Sequence, residues 1–99
     1  MGSKLMTANG YVTPEDDPNL PGGVYIKAFV GHAEGATAGD NIVLLSGGVG
    51  GTAVAFAVVT NANGDFGQNY AGKGVYAKTP LYYVEQKTGG TIKTEIVWE

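Results

Sequence analysis

Two groups of side chains in this sequence have the types and spacing for chemistry. The single histidine sits in Gly31-His32-Ala33-Glu34, where Glu34 could orient the imidazole as a base. The nucleophiles available to it include two serines, Ser3 near the N-terminus and Ser46 beside a glycine loop, and there is no cysteine. A nucleophile, a base and an orienting group must lie within reach of one another, and the sequence gives no reason for these to converge. The second group, Asn61-Ala62-Asn63-Gly64-Asp65, spaces oxygen ligands alternately, as a calcium loop does. Such loops need several acidic positions and a terminal bidentate glutamate, and one carboxylate supplies too little charge. A turn is the expected reading. The run Gly47-Gly48-Val49-Gly50-Gly51 is rich enough in glycine to cradle a phosphate. Phosphate loops deliver the anion to a helix N-terminus, whereas the segment here continues into an apolar, β-branched run. Residues 47–51 are therefore expected to be a hairpin loop. No catalytic residue, cofactor or metal site is expected.

The tyrosines carry the stronger signal. Six are present, Tyr11, Tyr25, Tyr70, Tyr76, Tyr82 and Tyr83. Tyrosine buries area at low entropic cost and keeps a polar tip, which favours it at contact surfaces. Tyr82 and Tyr83 adjoin on one strand, so one must face inward and the other outward.

The elements that position these groups read as β throughout. Val24, Ile26, Ala28 and Val30 alternate with Tyr25, Lys27 and Phe29, a period of two. Residues 41–45 and 52–60 are short apolar runs joined by the glycine loop and predict a hairpin. Residues 61–65 form a turn and 73–78 a short strand ended by Pro80. Residues 81–86 and 91–98 flank Lys87-Thr88-Gly89-Gly90 and predict a second hairpin. In its second arm Ile92, Thr94, Ile96 and Trp98 share one face, with Lys93 and Glu95 on the other. Ile26, Phe56, Ile92 and Ile96 are the expected core, and Tyr25, Phe29, Tyr83 and Val97 occupy the opposite faces. Seventeen glycines, with turns at short intervals, predict an all-β fold, a small glycine-rich β-barrel or sandwich.

Residues 1–22 differ from the rest. They hold three of the four prolines, Pro14, Pro18 and Pro21, and the acidic run Glu15-Asp16-Asp17. Proline removes backbone donors and fixes φ, so this stretch is expected to be an extended N-terminal arm ahead of a β-domain over 23–99.

Composition narrows the function. Six lysines, no arginine and nine carboxylates give a net charge of −3, a poor endowment for gripping nucleic acid. The longest apolar stretch, 53–59, falls far short of the roughly 20 residues of a membrane-spanning helix. The N-terminal residues lack a hydrophobic signal core, so the expectation is a soluble protein made in the cytoplasm. With neither disulfide nor metal to support so small a core, oligomerisation or docking on a larger body is the remaining source of stability.

The turn Ala38-Gly39-Asp40 leading into Asn41-Ile42-Val43-Leu44-Leu45, the glycine loop, the small-residue strand 53–59 and the arm segment Thr13-Pro14-Glu15-Asp16-Asp17-Pro18 together resemble the capsid decoration (cement) proteins of tailed bacteriophages. The resemblance covers about half the chain and rests on no specific motif. It implies a structural virion protein, not an enzyme, that binds and stabilises the outer surface of a capsid, with the N-terminal arm used for subunit contacts. Its partners would be the major capsid protein and copies of itself, three around an axis, with no nucleic acid or membrane involved. The candidate contact residues are Tyr11, Val12, Pro14 and Leu20 in the arm and Tyr25, Phe29, Tyr82 and Tyr83 on the strands. The alternative is a carbohydrate- or cell-surface-binding module with Tyr82, Tyr83 and Trp98 as stacking groups.

Overall fold

The computed structural model describes residues 2–12 and 22–99, which form nine strands in two antiparallel sheets. The strands are β1 (Gly2–Met6), β2 (Gly10–Tyr11), β3 (Gly23–Glu34), β4 (Asn41–Ser46), β5 (Thr52–Val58), β6 (Gly64–Asn69), β7 (Val75–Lys78), β8 (Leu81–Gln86) and β9 (Thr91–Trp98). The first sheet runs β1-β9-β3-β6, with β7 also pairing β3, and the second runs β2-β8-β4-β5. The all-β expectation holds, and the architecture is a sandwich.

Each sheet contributes one face to the core. Ile26, Phe29, Ala33, Ile92 and Ile96 meet Ile42, Leu44, Leu81 and Tyr83, all fully buried. The Tyr83 hydroxyl and the Thr94 hydroxyl share a buried hydrogen bond of 2.8 Å, which ties β8 of one sheet to β9 of the other. Burial raises the Tyr83 pKa and keeps that phenol neutral.

Residues 81–86 and 91–98 do not form the expected hairpin. β8 pairs β2 and β4, β9 pairs β1 and β3, and the chain arches from one sheet to the other between them. Both strands carry an alternating apolar set, and an arch lets the two sets face each other across the core. Asp40, almost wholly buried, anchors the arch by accepting from the Thr88 N–H and hydroxyl, each at 3.2 Å. Gly90 completes it at φ +73°, where a Cβ would lie 2.4 Å from the Gly35 backbone.

Residues 2–12, expected in the arm, supply two strands instead. β1 pairs with β9 from Gly2↔Trp98 to Met6↔Thr94, and β2 pairs with β8. Met6 and Val12 enter the core, so the expected boundary at residue 23 does not hold for this segment. The prolines that suggested an arm begin at Pro14, and residues 13–21 lie outside the described residues. One further strand, β6, starts at the end of the expected turn and runs beyond it; poor in β-formers, it pairs with residues 28–33 along an edge of the twelve-residue β3.

Two register shifts decide which side chains face out. Between Ile26 and Ala28 the β3–β9 ladder slips by one residue. Val24 and Ile26 point inward before the slip, and Phe29, Gly31 and Ala33 after it. Simple alternation places Phe29 outside; the bulge buries it completely. The β4–β5 hairpin forms as expected, with a similar slip between Leu44 and Leu45. There Ala55 turns inward and Phe56, expected in the core, lies 67% exposed.

Candidate interaction surface

The outward face of the β2-β8-β4-β5 sheet is built in three cross-strand rows. Tyr11, Tyr82, Leu45 and Ala53 lie side by side in the first, and the rings of Tyr11 and Tyr82 meet edge to face at 5.0 Å. Val84, Val43 and Phe56 form the second, and Gln86, Asn41 and Val58 the third. The strands dictate this face, because their alternate residues Leu81, Tyr83, Ile42, Leu44 and Ala55 are committed to the core. Among the described residues, these rows contain no ionisable side chain other than the two tyrosine phenols, and Phe56 and Val58 are their exposed large hydrophobic groups.

The outward face of the other sheet is different in chemistry. His32 stands between Asp65 on β6 and Lys93 on β9, and in the next row Glu95 separates the exposed Leu5 and Val30. His32 Nδ1 lies 2.6 Å from Asp65 Oδ1, and Nε2 lies 3.4 Å from Glu34 Oε1. The hydrogen bond to Asp65 raises the His32 pKa above 6.5, and the charge of both carboxylates acts in the same direction. At one end of this face Tyr25 and Tyr76 pair edge to face at 5.4 Å, both exposed.

The groups singled out for chemistry are dispersed. Both ring nitrogens of His32 face carboxylates, and the expected orienter Glu34 is the more distant of the two. Ser46 lies in the opposite sheet, where its Oγ accepts from the Lys78 N–H at 2.7 Å. Asn61 Oδ1 accepts from the Asn63 N–H, and Asn63 Oδ1 from the Gly35 N–H, so this segment is a turn that clamps its own backbone and that just past the end of β3. The glycine loop closes on itself through a Gly51 N–H to Gly48 C=O bond and leads into β5.

Of the residues expected to contact a partner, Tyr11 and Tyr82 come together on the uncharged face. Tyr25 lies on the other sheet, next to Tyr76. Val12, Phe29 and Tyr83 are in the core and are corrected accordingly: Val12, just past the end of β2, and Tyr83 on β8 point inward, and the bulge turns Phe29 inward. Pro14 and Leu20 lie outside the described residues. The stacking trio of Tyr82, Tyr83 and Trp98 is not a surface platform, because Tyr83 is buried and Trp98 packs against the core over Gly2. Sequence reasoning missed Phe56 and Val58. Their signal lay in the run Ala55-Phe56-Ala57-Val58, whose small residues turn inward while the larger ones are left outside. No protein-family model matches this chain, and neither a curated protein nor a solved structure is significantly similar to it.

Proposed function

We propose that this protein is a non-catalytic structural module on the outer surface of a protein shell, the role its resemblance to phage capsid decoration proteins implies, and that it docks there through the outward face of its β2-β8-β4-β5 sheet. The observation that carries this reading is the uncharged face itself, with Phe56 67% exposed in a chain of net charge −3. Burying such a face gains roughly 25 cal/mol per Å² and strips water from no charged group. A subunit that binds only the assembled shell stabilises that shell by mass action. The major capsid protein is the partner on this reading, and the site of action is the exterior of the virion.

The experiment is mass spectrometry of particles purified from cultures that carry this gene. The reading expects the chain at a fixed stoichiometry to the major capsid protein, and its absence from every purified particle would refute it. A second reading, a carbohydrate-binding module, draws on the exposed Tyr25–Tyr76 pair, since edge-to-face tyrosines offer a ring for sugar stacking. Glycan-array signal lost in Tyr76→Ala would favour that reading over the first.

A further inference from the structure

β5 is the outermost strand of its sheet, and the hydrogen bonds at its end show which of its backbone groups are spare. The Val59 N–H donates to the Asp40 carbonyl at 2.7 Å, and the Val59 carbonyl accepts from the Gly39 N–H at 2.9 Å. Backbone groups of successive strand residues point alternately to the two sides. Counting back from Val59, Ala57 and Ala55 address β4 opposite Ile42 and Leu44, whereas Val58 and Phe56 turn their N–H and C=O groups to the open edge.

Sheet edges are ordinarily blunted by charge, proline, bulges or shortness. Here β1 carries Lys4, β6 carries Asp65, and β2 is two residues long. β5 has seven residues with neither charge nor proline, and its register shift lies at its far end, opposite Leu44 and Leu45. Among the described residues no strand but β4 pairs with β5, so the segment from Ala55 to Val58 is an open pairing template.

We propose that β5 pairs antiparallel with β5 of a second copy of this chain, about a twofold axis through Ala57. In that register Phe56 of each copy lies opposite Val58 of the other. Both residues turn their backbone groups to the open edge, so each of the two symmetric pairs exchanges both of its N–H···O=C bonds. The side chains of both residues stand on the outward face, giving two aromatic–β-branched cross-strand pairs, a favourable class. A second copy is the occupant because the register is self-complementary and because the strand is uncharged. Two molecules of net charge −3 then meet with no like charges at the contact. An isologous contact of this kind closes as a dimer and does not build the threefold ring that the family resemblance implies. It forms from the protein alone and stands apart from the shell-binding reading.

Sedimentation equilibrium of the full chain over a dilution series tests the proposal, with Val58→Pro and Phe56→Lys as variants. Val58 donates nothing to β4, so proline there removes only an edge donor. Phe56 is exposed, so lysine there leaves the core intact and keeps the test valid if the proline variant folds poorly. The wild type is expected to dissociate reversibly from dimer to monomer, and both folded variants are expected to be monomers. The Phe56 and Val58 amides should gain protection from hydrogen exchange as concentration rises, while the Ala57 amide stays protected throughout. A wild type that is monomeric up to about 1 mM, one that sediments as a trimer, or a dimer that persists in Phe56→Lys would overturn the proposal.

Discussion

The two outward faces share one backbone geometry and differ in what their strands put on it. On the β1-β9-β3-β6 sheet, His32, Asp65, Lys93 and Glu95 keep the surface hydrated, and the exposed Leu5 and Val30 are divided by Glu95. On the β2-β8-β4-β5 sheet nothing charged among the described residues interrupts the rows from Tyr11 to Val58. Any partner covering the first face must strip water from ionised groups; covering the second removes mainly apolar surface. Both sheets send mostly apolar residues into the shared core, so core packing does not explain the difference. It is a property of the surface, and it points to what the surface meets.

The comparison can be broken hardest from the core, which both faces share. Phe29→Ala should cost about 3–5 kcal/mol in denaturant unfolding, the range for deleting a fully buried aromatic. Phe56→Ala should stay within about 0.5 kcal/mol, as surface changes do. Equal effects would mean that the bulge at Lys27 does not set the facing as described. Next in size is Tyr83→Phe, which strips a buried hydroxyl from Thr94 and Glu85 and should cost about 1–3 kcal/mol in the same assay. The smallest effect belongs to the charged face. The folded-state pKa of His32 is raised above 6.5, so its stabilising contact with Asp65 is fully present below pH 6.5 and fades as pH rises through the folded value. A histidine-ring proton titration by NMR should show that raised pKa, and Asp65→Asn should bring it back toward 6.5. No such titration is expected in signals of Val43 or Val84.

Strand content and most strand positions were legible in the sequence because alternation survives wherever the ladder is regular, as in Ile92, Thr94 and Ile96. The facing of Phe29 and Phe56 was not, since a single extra residue inverts every side chain beyond it and leaves no trace in composition. The arch between β8 and β9 was also hidden. A four-residue glycine-containing link suits a hairpin and an arch equally, and the choice is made by Asp40, distant in sequence, and by the facing apolar sets. β1 and β2 lacked a strong pattern of their own and are held by long-range pairing. On the candidate surface, Tyr11 and Tyr82 were found from residue type; Phe56 and Val58 required the bulge.

The most direct test of the central claim is co-sedimentation with purified particles of Val84→Lys, on the uncharged face, against Lys93→Glu, on the charged one. The account predicts that Val84→Lys stays folded and no longer pellets with the particles, while Lys93→Glu pellets as the wild type does. Loss of binding in Lys93→Glu with binding retained in Val84→Lys would contradict it.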